Sequence, residues 1–292
     1  MTVPRLVDGA WLAAHLGDPD LVILDATVSP LATEPEAASR AATSGTTFEA
    51  AHIPGARHAD LILALSDPTA GFSFAMPDAA TLAAKLAALG VADGKHVVVY
   101  DEFLNMWACR VWWMLRAIGF ATASVLDGGF AEWKREGRPI ASGPASPAAI
   151  GTLTVAERPG FVGKARIEAM LVAGMAPGDL VCALPESWFR GEVALGGREG
   201  HIPGSINIPA ASLLDGNGRF LPPDQLAAGL APAANASPVT VYCGGGISAA
   251  VVGFALGLTG REDALIYDGS LEEWNADPAS PLVTGPLAAG QA

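Results

Sequence analysis

The sequence has few cysteines, few cationic residues and no long apolar run, and each shortage excludes a class of protein. Cys109, Cys182 and Cys243 form neither a close pair nor metal-ligand spacings, so we expect free thiols and no metal. Lys and Arg number 17 against 30 acidic residues, which disfavours a nucleic-acid partner. No stretch reaches the roughly 20 apolar residues that span a bilayer, and the first residues lack a signal-peptide pattern. We therefore expect a cytoplasmic protein that does not contact membranes.

The 292 residues exceed one typical domain, and three sequence motifs recur in the same order. HIPGA at 52–56 returns as HIPGS at 201–205, an offset of 149 residues. VVVYD at 97–101 returns as VTVYC at 239–243, and LDGGFAEW at 126–133 returns as YDGSLEEW at 267–274. These offsets predict a duplicated domain, with one copy in residues 1–142, a linker in 143–152 and a second copy in 153–292.

Short apolar runs alternate with helical patterns in both halves. The runs LVILDA, HVVVYD, LVCAL and VTVYC have the length of strands. Between such runs, helical patterns cover 78–89, 107–118, 223–230 and 248–258. This alternation predicts an α/β fold in which each half has a mostly parallel sheet flanked by helices.

The most informative local pattern begins at Cys243, which follows a buried strand and precedes three glycines and a helix. Successive backbone N–H groups in such a loop form a concave anion site that stabilises a thiolate. Gly244, Gly245 and Gly246 leave those N–H groups uncovered, and Ile247 and Ser248 complete the loop. Cys243 is therefore a candidate nucleophile. The alternative is a tight turn around a small buried cysteine, and the loop alone does not decide between them.

The loop C-G-G-G-I-S-A resembles the active loop of rhodanese-like sulfurtransferases, commonly C-R-K-G-V-T-A in thiosulfate enzymes and C-G-S-G-V-T-A in mercaptopyruvate enzymes. The two HIPG segments, NGRFLPP at 217–223 and YDGSLEEW also match, in family order. This resemblance covers nearly the whole chain and implies two tandem rhodanese-like domains. It also implies that the first is non-catalytic, because Asp101 stands where the second domain has Cys243.

The sequence departs from the family pattern where that pattern has two arginines, D-A-R-x-x-x-R-F-x-G. Here 182–191 reads C-A-L-P-E-S-W-F-R-G, so Leu184 and Trp188 replace both arginines. An indole carries no charge to hold an anionic donor. Arg190 and Arg198 are candidate substitutes, although either is equally interpreted as a solvated surface residue. Gly245 replaces the loop serine of the mercaptopyruvate enzymes.

His201 recurs as His52 in the half without a cysteine, which favours a structural role for the motif. His52 remains a candidate for substrate binding, because the resemblance implies a first-domain histidine near the active site. Cys109 and Cys182 are interpreted as core residues, with a resolving thiol as the alternative.

The resemblance implies transfer of a sulfane sulfur from a small anionic donor to a thiol or cyanide acceptor through a Cys243 persulfide, without a cofactor. We expect 3-mercaptopyruvate to be favoured over thiosulfate, and a small thiol or a thioredoxin-like protein as acceptor. The alternative is a rhodanese-fold sulfur-relay or binding protein without efficient turnover of small donors. A phosphatase is disfavoured, because the loop is one residue short and has no arginine for phosphoryl oxygens.

Overall fold

Two five-stranded parallel sheets, one in each half of the sequence, organise the chain in the computed structural model, which describes residues 3–29 and 37–285. The chain divides into two units. The first comprises Met1–Ala70, Phe74–Arg158 and Gly216–Arg219, and the second comprises Gly71–Ser73, Pro159–Asp215 and Phe220–Ala292. Residues 143–152, predicted as a linker, belong to the first unit, where the N–H of Gly151 donates to the carbonyl oxygen of Ala87.

The first unit alternates strands and helices along its length. Its elements are β1 (Leu6–Val7), α1 (Gly9–Ala14), β2 (Leu21–Asp25), α2 (Ala37–Ala50), β3 (Arg57–His58), α3 (Ala79–Ala88), β4 (His96–Tyr100), α4 (Met106–Ala117), β5 (Ala123–Leu126) and α5 (Gly129–Arg135). The strands lie in the order β1-β5-β4-β2-β3, and every pair is parallel. The helix α4 packs on β4 and β5.

The second unit repeats this plan and adds a short hairpin. Its elements are β6 (Phe161–Val162), α6 (Lys164–Ala173), β7 (Leu180–Cys182), α7 (Glu186–Phe189), β8 (Ala194–Leu195), β9 (Arg198–Glu199), β10 (Ile206–Asn207), α8 (Pro223–Leu230), β11 (Thr240–Tyr242), α9 (Ser248–Leu258), β12 (Leu265–Tyr267) and α10 (Ser270–Ala276). Two 3₁₀ turns, Ala210–Leu213 and Ala231–Ala233, complete it. Its five-stranded sheet has the order β6-β12-β11-β7-β10, and β8 pairs antiparallel with β9.

The two sheet orders correspond strand for strand, which confirms the predicted α/β class. The strand β4 takes the same place in its sheet as β11 in the other, and each is the central strand. After a polar first residue, His96 in β4 and Thr240 in β11, both strands are formed by buried valine and tyrosine side chains, because helices cover a parallel sheet. The helix α9 is apolar on every side, and Ala249–Leu256 within it are all buried against β11 and β12.

The carboxyl ends of parallel strands lie at one edge of a sheet, where open α/β folds bind ligands. The strand β4 ends at Tyr100, so Asp101 lies at this edge in the first unit. The strand β11 ends at Tyr242, so Cys243 takes the equivalent position in the second unit.

Within the described ranges, no helix has both the length and the apolar character needed to cross a bilayer.

Candidate active site

Cys243 is a free thiol at the carboxyl end of the central strand of the second unit, and only 2% of its surface is exposed. The preceding residue, Tyr242, fixes the end of that strand. Its hydroxyl accepts a hydrogen bond of 3.0 Å from the N–H of Ile202 and lies 2.8 Å from the Oγ of Ser205. The HIPGS motif therefore ties a neighbouring loop to the residue beside Cys243.

The loop after Cys243 presents backbone N–H groups along its length. Gly246 has φ 74°, a left-handed conformation that glycine adopts without strain and that turns the chain into α9. In the described part of the chain, the N–H groups of residues 244–248 have no hydrogen-bond acceptor. Gly244 and Gly245 are half-buried while the rest of the loop before α9 is buried, so they form its accessible face. This arrangement fits an anion such as a thiolate or a persulfide.

Three consecutive residues at the start of α10 hold the beginning of the loop. The N–H of Cys243 donates to the Oγ of Ser270 at 3.0 Å. The N–H of Leu271 donates to the carbonyl oxygen of Cys243 at 3.0 Å, and the N–H of Glu272 to that of Gly244 at 2.8 Å. Ser270 is fully buried at φ 48°, a conformation that costs a residue with a Cβ about 1–2 kcal/mol. The backbone of Cys243 is therefore held at both its N–H and its carbonyl group.

The equivalent loop of the first unit is occupied by one of its own side chains. The carboxylate of Asp101, at the position of Cys243, accepts hydrogen bonds of 2.6 Å from the N–H of Phe103 and 2.8 Å from that of Ala108. Burial raises the pKa of Asp101 to about 7, against the effect of these hydrogen bonds. The first loop thus binds the carboxyl group of its own side chain, which leaves no place there for a persulfide.

Leucine side chains and one carboxylate surround the accessible face of the Cys243 loop. A Cβ built on Gly244 would lie 3.2 Å from the Cδ1 of Leu195 and 4.0 Å from the Cδ2 of Leu184. A Cβ built on Gly245 would lie 3.2 Å from the Oε2 of Glu272. Leu184, which replaces a family arginine, therefore lies beside the loop and contributes no charge there.

The predicted donor-binding residues of the second unit differ in their surroundings. Arg190 follows α7, is exposed and pairs with Glu186. The guanidinium of Arg198 instead donates hydrogen bonds of 2.9 Å to the carbonyl oxygen of Asp277 and 2.6 Å to that of Ser280. Trp188 lies on α7 and is half-buried. Arg198 thus anchors the β8–β9 hairpin, while Arg190 has a side chain that can reorient.

The two histidines of the HIPG motifs make matching contacts in their own units. The Nδ1 of His52 donates to the carbonyl oxygen of Phe48 at 2.9 Å, and His52 stacks on that ring. The Nδ1 of His201 donates to the carbonyl oxygen of Phe189 at 2.6 Å, and the His201 ring stacks on the ring of Phe189. Burial lowers the pKa of His201, so it is neutral near pH 7. These contacts position the loops, and donor binding by His52 stays a prediction.

The other two cysteines are buried and protonated at neutral pH. Burial raises the pKa of Cys109 well above its ordinary value and that of Cys182 to about 12. A thiol in that state is a poor nucleophile. Cys182 lies on β7 beside the strand that carries Tyr242. Both positions agree with the interpretation as core residues.

Sequence reasoning did not single out Ser270, Leu195 and Glu272 as neighbours of the Cys243 loop. Ser270 was detectable, because the repeat aligns it with Gly129, which has φ 57°. A Cβ on Gly129 would lie 2.2 Å from the carbonyl oxygen of Asp101, so only glycine fits there.

Among the described residues, no group of three or more potential metal ligands is present.

Comparisons with known proteins show what this chain is similar to. The family model described as Rhodanese-like domain matches residues 8–136 and 185–277. A 3-mercaptopyruvate sulfurtransferase of Escherichia coli O157:H7 is 34% identical over 97% of this chain and 100% of its own length. A putative thiosulfate sulfurtransferase of Mycobacterium tuberculosis, SseB, is 37% identical over 80% of this chain and 84% of its own. The crystal structure of the Escherichia coli 3-mercaptopyruvate sulfotransferase SseA matches 92% of this chain and 99% of its own, with 31% identity and a TM-score of 0.77.

Proposed function

The chain belongs to the rhodanese family and is a sulfurtransferase, and we propose that it transfers a sulfane sulfur from a small anionic donor to a thiol or cyanide acceptor through a persulfide on Cys243. The observation that carries this proposal is the position of Cys243. It is a free thiol at the end of a central parallel strand, followed by a loop whose N–H groups at 244–248 have no acceptor in the described part of the chain.

In the first half of the reaction, the Cys243 thiolate attacks the outer sulfur of the donor. With 3-mercaptopyruvate, an S–S bond forms, the C–S bond breaks, and its electron pair leaves with the pyruvate enolate, which takes up a proton. With thiosulfate, the S–S bond of the donor breaks and sulfite leaves. In the second half, an acceptor thiolate or cyanide attacks the outer sulfur of the persulfide and releases the Cys243 thiolate.

The loop supports these steps by stabilising negative charge at a fixed place. The N–H groups of Gly244, Gly245, Gly246, Ile247 and Ser248 supply donors that need no reorganisation when the persulfide forms. Ser270 holds the N–H of Cys243, so that this residue keeps one backbone orientation in both halves of the reaction. We propose the second unit as the catalytic domain and the first as the non-catalytic one.

The charge around the loop favours 3-mercaptopyruvate over thiosulfate as donor. Thiosulfate is a compact dianion, whereas 3-mercaptopyruvate carries one carboxylate on an apolar body. Beside the loop lie the apolar Leu184 and Leu195 and the acidic Glu272. This environment repels a dianion more strongly than a monoanion. Relatives with both donors in their names occur, so the donor has to be measured.

We propose Arg190 as the cation that holds the donor carboxylate, assisted by Trp188 on the same short helix. Arg190 is exposed, and its pairing with Glu186 is of a kind that contributes little in water. Arg198 is the weaker candidate, because its guanidinium already binds two backbone carbonyl groups. A small thiol or a thioredoxin-like protein is the acceptor that fits the half-buried face at Gly244 and Gly245.

A sulfur-relay protein without efficient turnover of small donors is the second candidate, and the loss of both pattern arginines favours it. One experiment separates the two. The purified protein is mixed with each donor at one pH and one ionic strength, and persulfide formation and thiocyanate production from cyanide are followed in parallel. An enzyme forms the persulfide and turns over many times. A relay protein accepts sulfur from a partner's persulfide but shows no sustained turnover with either small donor.

A further inference from the structure

Glu272 places a carboxylate directly beside the active loop. An ideal Cβ on Gly245 would lie 3.2 Å from its Oε2, so this oxygen lies at the edge of the space that a side chain at 245 would enter. The backbone N–H of Glu272 also donates a hydrogen bond of 2.8 Å to the carbonyl oxygen of Gly244. Gly245 is two residues from Cys243, and their Cα atoms are therefore at most about 7 Å apart.

The carboxylate is held in place rather than free to swing away. Its Oε1 accepts two hydrogen bonds of 2.9 Å, one from the N–H and one from the Oγ of Ser73, which belongs to the second unit. Within the described residues, no cationic side chain pairs with Glu272. The carboxylate is therefore held in a fixed position by hydrogen bonds from Ser73 and not by an ion pair.

The position matters because Gly244 and Gly245 are the accessible part of the loop. Cys243 itself is buried, so a donor approaches its sulfur past these glycines. Leu195 lies on the side of Gly244, and Glu272 lies on the side of Gly245. A donor that approaches here thus passes the apolar Leu195 and the anionic Glu272, and the carboxylate of Glu272 repels the negative charge of the donor.

We propose that Glu272 determines donor specificity by charge, selecting against a dianionic sulfur donor and tolerating a monoanionic one. This inference rests on the proposed function and deepens it. Coulomb repulsion scales with the product of the charges, so the penalty on thiosulfate is twice that on 3-mercaptopyruvate in free-energy terms. The factor by which this repulsion lowers kcat/KM for the dianion is therefore the square of the factor for the monoanion.

The test is the variant Glu272→Gln, which keeps the shape of the side chain and its contact with Ser73 while removing the charge. We expect kcat/KM to rise roughly tenfold for thiosulfate and roughly threefold for 3-mercaptopyruvate, so that their ratio shifts about threefold toward thiosulfate. Glu273→Gln is the matched control, because it removes the same charge from the next residue, whose carboxylate lies beside Gly269 and not Gly245. Its ratio should stay that of the unmodified protein.

Glu272→Asp keeps the charge and should keep the wild-type ratio, even where its absolute rates change. Thermal melting of all variants separates these effects from loss of folding. An unchanged donor ratio in Glu272→Gln, or the same shift in Glu273→Gln, overturns the inference while leaving the proposed function intact. Absence of turnover with both donors in the unmodified protein contradicts the proposed enzymatic function instead.

Discussion

The N–H of Cys243 donates a hydrogen bond of 3.0 Å to the side-chain oxygen of Ser270, a residue held in the left-handed region at φ 48°. The first unit has Gly129 at the equivalent place, at φ 57°, and its equivalent of Cys243 is Asp101. A glycine satisfies this conformation without strain. The second unit thus has a strained serine at the position where its hydroxyl accepts the hydrogen bond from the N–H of Cys243.

Substitution of Ser270 should separate this hydrogen bond from the strain. Ser270→Ala leaves the N–H of Cys243 buried without an acceptor, which costs about 1–3 kcal/mol in unfolding free energy. Ser270→Gly loses the same hydroxyl but relieves the strain, so it should be about 1 kcal/mol more stable than the alanine variant. Both should lose about tenfold in kcat/KM. Full stability and full activity of Ser270→Ala would show that the hydroxyl positions nothing.

The two candidate arginines should respond differently to truncation. Arg198→Ala removes a guanidinium bound to the carbonyl oxygens of Asp277 and Ser280, so we expect a loss of about 1–3 kcal/mol in stability. Arg190→Ala should leave stability unchanged and raise the donor's KM by an amount equivalent to about 1.5–3 kcal/mol. Denaturant unfolding and steady-state kinetics measure both. Unchanged kinetics in Arg190→Ala would favour the relay function.

The expected preference between the two donors rests on the uncharged loop. We expect kcat/KM for 3-mercaptopyruvate to exceed that for thiosulfate, and the double variant Gly244→Arg, Gly245→Lys to shift the ratio toward thiosulfate. Neither glycine is in the left-handed region, so the backbone tolerates a side chain at both positions once the ends of the Leu195 and Glu272 side chains shift slightly. Both donors are assayed at one pH and ionic strength. A clear preference of the unmodified protein for thiosulfate would mean that cations elsewhere govern the site.

Asp101 should make stability depend on pH. Its folded pKa of about 7 lies above the ordinary 3.8, so its contribution to stability is full below about pH 4 and is lost as pH rises to about 7. Asp101→Asn cannot ionise. The Tm of this variant relative to the unmodified protein should therefore rise between pH 4 and 7. Asp224→Asn, at an exposed carboxyl on α8, is the control. A difference that does not change with pH would refute the assignment.

Much of the fold could be predicted because the repeat and the apolar periodicity are local signals. The predicted helices at 223–230 and 248–258 match α8 and α9 in full. The helix predicted at 107–118 begins one residue earlier, because Asn105 is left-handed at φ 55° and the chain turns helical directly after it. Such a conformation for a non-glycine residue leaves no clear sign in a sequence.

The surroundings of Cys243 were harder to predict because they depend on contacts between distant parts of the chain. Ser73 and Glu272 are 199 residues apart, and no periodicity relates them. The commitment of Arg198 to backbone carbonyl groups depends likewise on where the segment after α10 lies. Cys243 could be proposed as a nucleophile from the sequence because strand, glycines and helix follow one another without interruption.

The assignment of Cys243 as the sulfur carrier is tested by mass spectrometry of peptides after reaction with 3-mercaptopyruvate, which locates the transferred sulfur. We expect one additional sulfur atom on the peptide with Cys243, its removal by cyanide, and the loss of both sulfur binding and turnover in Cys243→Ser. Cys109→Ser and Cys182→Ser should keep both, because burial raises the pKa of these thiols. Sulfur on the peptide of Cys109 or Cys182, or sustained turnover by Cys243→Ser, would contradict the assignment of Cys243 as the sulfur carrier.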